Sequence, residues 1–136
     1  MINANDGHVG LNAALSHSRS VDGMVRLRSI SELTALLPDV EARRRLVAML
    51  DDDVVTMQIE VAEALVRYDG KEGLLSVLEE LGRREDSDVD YIAYRLSDLE
   101  NLGDFPVLDA AASIDESEFS PDARRGLSDL RQLMGR

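Results

Sequence analysis

The feature that most constrains the fold of this chain is a short apolar pattern that returns at a nearly constant interval. Each copy spans seven residues, and its first, fourth and seventh residues are apolar. Those three positions share one face of a helix. Successive copies are 32, 34 and 31 residues apart, which is typical of proteins built from stacked helical units. The copies are residues 30–36, 62–68, 96–102 and 127–133.

The spacing of apolar residues is helical along the whole chain. Between Val54 and Tyr68 they recur every three or four residues and form one stripe. Aromatic residues are 4% of the chain and no long segment alternates apolar with polar, so no strand is predicted. Only Asp69 and Gly70 separate this stripe from the next, so we expect a helical hairpin there. The predicted helices cover residues 8–17, 21–37, 39–50, 54–68, 71–84, 88–102, 105–114 and 121–134.

This pattern resembles the HEAT-like (armadillo-type) family of α-helical repeats. The resemblance is clearest over 53–81 and 88–114, where an acid opens the first helix and Ala-Glu-Ala-Leu or Leu-Ser-Asp-Leu fills its middle. Turn residues of the Gly-Asp type follow, and then a second helix of the Leu-Leu-x-Val-Leu or Val-Leu-Asp-Ala type. The units are shorter than the roughly 40 residues typical of that family.

The resemblance implies an all-α fold, a right-handed α-solenoid of antiparallel helix pairs with about three repeats plus end helices. Residues 1–136 would then form one domain. Its parts would be a cap helix over 8–17, helix pairs over 21–50, 54–84 and 88–114, and a C-terminal helix over 121–134.

The charge of the chain is concentrated in its middle. Acids outnumber bases 27 to 15, for a formal charge of -12. Residues 46–118 carry a net -15, whereas residues 1–45 carry +1 and residues 119–136 carry +2. This balance argues against nucleic acids and anionic membranes as partners, because both attract basic surfaces.

Residues that could carry chemistry are scarce. The chain has no cysteine, one lysine and two histidines, His8 and His17, whose spacing does not suit a metal pair on one helix face. The segment 86–90 begins like a calcium loop, but Tyr91 and Ser97 replace the glycine and glutamate that such a loop needs. Paired carboxylates such as Glu79 and Glu80 are interpreted as exposed turns or outer helix faces. We therefore predict that the protein is not an enzyme and has no cofactor.

An acidic ridge is the candidate functional feature. Stacked repeats bring equivalent turns side by side, so the acids of the three links between helix pairs would line one edge. Helix capping and solubility are the competing explanation, because acids favour helix starts. The predicted partner-binding residues are Asp51, Asp52, Asp53, Glu79, Glu80, Glu85, Asp86, Asp88, Asp115, Glu116 and Glu118.

The leading functional hypothesis is a protein-protein interaction module that presents this acidic surface to a basic protein partner. Small acidic helical-repeat proteins that resemble this chain serve as immunity or antitoxin proteins against nuclease toxins, so that role is its specific form. The alternative is an accessory enzyme subunit, such as the HEAT-like chromophore lyases. Tyr91 and Tyr94 could line the groove of such a subunit, although their helical spacing favours packing in the core.

Two further expectations concern assembly and location. The last predicted helix carries Leu127, Leu130, Leu133 and Met134 with no later segment to cover them, so the protein is a monomer or a weak homodimer through that helix. The first residues lack the basic start and apolar stretch of a signal peptide. The chain also lacks an apolar run of about 18 residues, so we expect a cytoplasmic protein without membrane contact.

Overall fold

The described part of the chain is α-helical, and the all-α prediction is confirmed. A computed structural model describes residues 9–136, which contain no strand. Each helix begins and ends within three residues of its predicted bounds, except that residue 8, the predicted start of the first, lies outside the described part. The helices are α1 (Leu11–His17), α2 (Gly23–Thr34), α3 (Val40–Met49), α4 (Val55–Tyr68), α5 (Gly70–Arg83), α6 (Asp88–Asn101), α7 (Val107–Ala112) and α8 (Pro121–Leu133), with a 3₁₀ turn at Glu116–Glu118.

Polar side chains begin some of these helices in the expected way. Asp22 accepts hydrogen bonds from the amides of Met24 and Val25 at the start of α2, and Ser120 accepts one from Ala123 at the start of α8. Both satisfy backbone donors that have no partner within the helix. Ser87 precedes α6 but makes no such bond.

The apolar pattern of the repeat places one leucine of every copy in the core. The fourth position of each copy is buried, with at most 3% of its surface exposed. The seventh position lies at or just beyond the end of a helix, and there Tyr68, Leu102 and Leu133 are exposed. Each copy therefore fixes the buried face of one helix. The four buried leucines are Leu33, Leu65, Leu99 and Leu130.

Successive helices pack as hairpins and the hairpins pack on one another. The first helices, α2, α4 and α6, contact each other in that order, and the second helices, α3, α5 and α7, do the same. No helix within residues 9–136 combines the length and the apolar character that a membrane crossing requires.

The last helix departs from the order of the repeat, since α8 packs along α5, the second helix of an earlier pair. A Cβ atom added at Gly82 would lie 1.8 Å from the carbonyl oxygen of Asp122. One added at Gly126 would lie 1.9 Å from that of Leu78. Only glycine permits two helix backbones to approach this closely. The order of these contacts along the two helices indicates that α8 runs antiparallel to α5.

This packing corrects the expectation that the apolar face of the last helix has no cover. Leu130 is 1% exposed, and Leu127 and Met134 are partly buried against the core. Leu133 is 45% exposed. The surface that α8 offers for self-association is therefore reduced to the region of Leu133.

Candidate protein-binding surface

Arg84 joins two of the three acidic links. Its side chain donates to both carboxylate oxygens of Asp86, at 2.9 and 2.6 Å. It also donates to the carbonyl oxygen of Leu50 at 3.0 Å and to Oε1 of Gln58 at 3.1 Å. Residues 51–53 and 85–88 therefore lie at the same edge of the molecule, as the repeat predicted.

Further arginines neutralise the acids of the first link. Nε of Arg26 lies 3.2 Å from Oδ2 of Asp52, and both side chains are largely buried. Arg83 lies 3.4 Å from Asp51. Asp53 is 3.9 Å from Arg26, but its side chain is 93% exposed, so this pair is weak. Within the first link, Asp53 is the acid most available to a partner.

Glu80 was expected on an outer helix face, and that expectation is wrong. The residue is 7% exposed and forms ion pairs with Arg83 and Arg84. Burial raises the pKa of its carboxyl group above the ordinary value, because the charged form loses hydration. The helical period of apolar residues predicted the wrong environment for Glu80, because the link around Asp51 covers the edge of α5 on which Glu80 lies.

Asp86 has the opposite perturbation. Its two hydrogen bonds from Arg84 stabilise the carboxylate and lower its pKa to about 2. The carboxylate thus stays charged at any physiological pH. Its charge is already matched by Arg84, so Asp86 adds little net field for an incoming cation.

The third link does not join the other two, and the single ridge of three links is not formed. Glu118 pairs with Lys71, with 2.7 Å between the carboxylate and Nζ. Lys71 stands in the first turn of α5, about 18 Å along the helix from Arg83. The physical reason is the length of α7: its 6 residues carry the chain only part of the way along α5, which has 14.

The predicted site residues therefore fall into two groups. Six of them lie within ion-pair distance of a cation of the same chain: Asp51, Asp52, Asp53, Glu80, Asp86 and Glu118. Within residues 9–136 the other five make no ion pair. Glu79 accepts a hydrogen bond from Ser120, Asp115 accepts two from Ser117, and Glu85, Asp88 and Glu116 complete this group.

The exposed face of α6 was not predicted from the sequence. Tyr91 and Tyr94 are 52% and 50% exposed, so the expectation that they pack in the core is wrong. Their rings meet edge to face, with centroids 6.2 Å apart. Asp90 and Asp98 are exposed on the same helix, and among the described residues neither forms an ion pair. Exposed tyrosines are typical of binding hot spots, and the acids beside them would form the polar rim of such a site.

The described residues offer no metal site. No three histidine, aspartate or glutamate side chains within residues 9–136 are placed to hold one ion. Nδ1 of His17 lies 2.8 Å from Glu32 in an ordinary hydrogen bond, and His8 lies outside the described residues. No protein-family model, curated protein or solved structure matches the chain. The candidate surface is therefore identified from geometry and charge.

Proposed function

We propose that this protein is a non-enzymatic interaction module, a right-handed α-solenoid of HEAT-like units, which binds a basic protein partner. The observation that carries the proposal is the α6 face, defined by Asp90, Tyr91, Tyr94 and Asp98. Its two tyrosines are half exposed although the packed core lies directly beneath their helix. Its two acids make no ion pair among the described residues, so they are free for a partner's cations.

The charge of the chain supports the same partner chemistry. A net charge of -12 attracts cationic proteins over distances comparable to the Debye length, about 8 Å at physiological salt, and raises the association rate. Tyrosine rings add contact area at low entropic cost and can stack on arginine. Charge thus steers the partner, and the tyrosines hold it once it has arrived.

An immunity or antitoxin protein that neutralises a basic nuclease toxin is the specific role that we propose. Nucleases bind a polyanion and therefore present basic surfaces. An acidic, aromatic face can cover such a surface in the manner of the nucleic acid.

The test compares proteins captured from the native host by the wild type and by the double variant Asp90→Lys/Asp98→Lys. The variant removes two unpaired acids and adds two cations at solvent-exposed positions, so it removes no packing contact of the core. We expect at least one basic protein to be captured by the wild type, to be lost from the variant, and to be released by moderate salt. Quantitative mass spectrometry of the two captures measures this difference.

The matched control is Asp104→Lys/Asp109→Lys. Both residues are exposed and lie outside the α6 face, beyond the far end of that helix or on α7, and the change in net charge is the same. Capture should survive in this control. The proposal would be contradicted if the control lost the partner as fully as the α6 variant, or if the captured proteins were not basic.

A further inference from the structure

An open groove lies between α6 and α8. Its floor is apolar and consists of Leu81, Ala93 and Leu130, of which Leu130 is 1% exposed. At its edges stand Tyr94 and Leu133, the one from α6 and the other from α8. These two residues are 50% and 45% exposed, so each keeps a large apolar surface in water at the same groove.

The rim of the groove is acidic. Four carboxylates line it, and its one cation, Arg84, is already committed to Asp86, Leu50 and Gln58. The groove therefore has an apolar floor and an excess of negative charge around it. The rim acids are Glu85, Asp86, Asp90 and Asp129.

We propose that this groove seats an amphipathic α-helix of a basic partner, with apolar side chains on the floor and arginines or lysines against the rim. The inference rests on the proposed function and names the element by which the partner binds. The two walls of the groove are themselves helices, and a third helix can pack on both at the usual spacing of 8–10 Å between helix axes.

The length of the groove determines how many apolar side chains a bound helix places in it. The α6 wall runs from Val89 to Tyr94, and the α8 wall from Asp129 to Leu133. Each wall rises about 6–8 Å, somewhat more than one turn. The guest helix therefore places two apolar side chains, three or four residues apart, between Tyr94 and Leu133. Its flanking cations face Asp90 on one side and Asp129 on the other.

The test titrates the isolated protein with a defined probe, so it does not depend on finding the natural partner. The probe is a helical peptide of about 15 residues, a length at which isolated helices become stable, with leucines on one face and arginines beside them. A scrambled peptide of the same composition and charge is the first control. We expect the amphipathic peptide to bind at least about tenfold more tightly than the scrambled one, as measured by fluorescence anisotropy.

Variants of the protein then test whether the amphipathic peptide binds in the groove between α6 and α8. Tyr94→Ala and Asp129→Lys should each weaken the amphipathic peptide by about tenfold or more. Tyr68→Ala and Asp104→Lys are the matched controls, because Tyr68 is 62% exposed at the end of α4 and Asp104 is exposed beyond the end of α6. Neither control should change the affinity by more than about twofold.

Equal binding of the two peptides would overturn the inference, because charge alone would then explain the binding. The proposed function would still stand in that case. Binding that survives both groove variants, or no binding of either peptide, would overturn it as well. Failure of the wild type to capture a basic host protein, or equal loss of that protein from the Asp104→Lys/Asp109→Lys control, would instead remove the proposed function. The two failures are therefore distinguishable.

Discussion

At the scale of single residues, paired side chains decide which acids remain available. Three contacts join residues that are 26 positions apart: Arg26 with Asp52, Arg43 with Asp69, and Gln58 with Arg84. The contact of Arg43 with Asp69 connects the first helix hairpin to the second, and that of Arg26 with Asp52 connects the first hairpin to the link that follows it. The contact of Gln58 with Arg84 lies within the second hairpin. The repeat spacing of 31–34 residues does not predict this offset, and composition does not report which arginines lie beside which acids. The ridge was consequently predicted to be more negative than it is.

The pair between Asp86 and Arg84 gives a prediction about acid stability. Because the folded pKa of Asp86 is lowered from 3.8 to about 2, its carboxylate stabilises the fold above pH 3.8 and loses that contribution as the pH falls towards 2. Asp86→Asn should therefore lower the free energy of unfolding at neutral pH by up to about 1 kcal/mol, since half of the side chain is exposed. Urea denaturation should show the difference closing as the pH approaches 2.

Asp104→Asn is the control for this experiment. Asp104 is exposed beyond the end of α6 and makes no ion pair among the described residues, so its replacement should have little effect at either pH. A gap between Asp86→Asn and the wild type that stayed constant from neutral pH down to about 2 would contradict the prediction.

At the scale of elements, the period of apolar residues predicted the bounds of the helices well. It predicted poorly which elements pack against each helix. It placed Leu33, Leu65 and Leu99 in the core because it reports which face of a helix is buried. Periodicity does not report where a neighbouring element ends. Tyr94 was therefore expected to be covered, although half of its surface is exposed, and the close contact of α8 with α5 was not expected. Two helical glycines, Gly82 in the last turn of α5 and Gly126 within α8, were the signal for that contact, because glycine weakens a helix but lets another backbone approach closely.

Gly126→Ala tests the contact between α5 and α8. Alanine would strengthen an isolated helix by up to about 1 kcal/mol, but its Cβ would lie 1.9 Å from the carbonyl oxygen of Leu78. The helices must move apart, so we expect a net loss of about 1–3 kcal/mol in the free energy of unfolding. Gly23→Ala is the control, because no atom lies within 4 Å of its added Cβ. Equal stability of the two variants in urea would show that the backbones are not in contact.

At the scale of the whole molecule, stability should be distributed unevenly. Seven residues of α4 and seven of α5 are buried, against one residue of α1 and two of α7. Helix α5 also contacts α4, α6 and α8. The middle of the chain is thus both its most acidic region and its best-packed one. The acids therefore lie on the part of the molecule whose local opening should require the most free energy.

Hydrogen exchange measures this distribution directly. Amides in α4 and α5 should exchange only through global unfolding, whereas those in α1 and α7 should exchange through local opening that requires much less free energy. The comparison is made by mass spectrometry on the intact protein under native conditions. Protection of α7 equal to that of α5 would contradict the packing described above.

The return of α8 to α5 also has a consequence for how the protein is made. Asp122 meets Gly82 although about 40 residues of chain lie between them. Units that contact only their neighbours can fold one after another as they emerge from the ribosome. Here the face of α5 around Gly82 stays uncovered until α8 has been synthesised. The hairpin of α6 and α7 is therefore translated before the hairpin of α4 and α5 can complete its packing. The packing of α5 is therefore completed only after α8 has been synthesised.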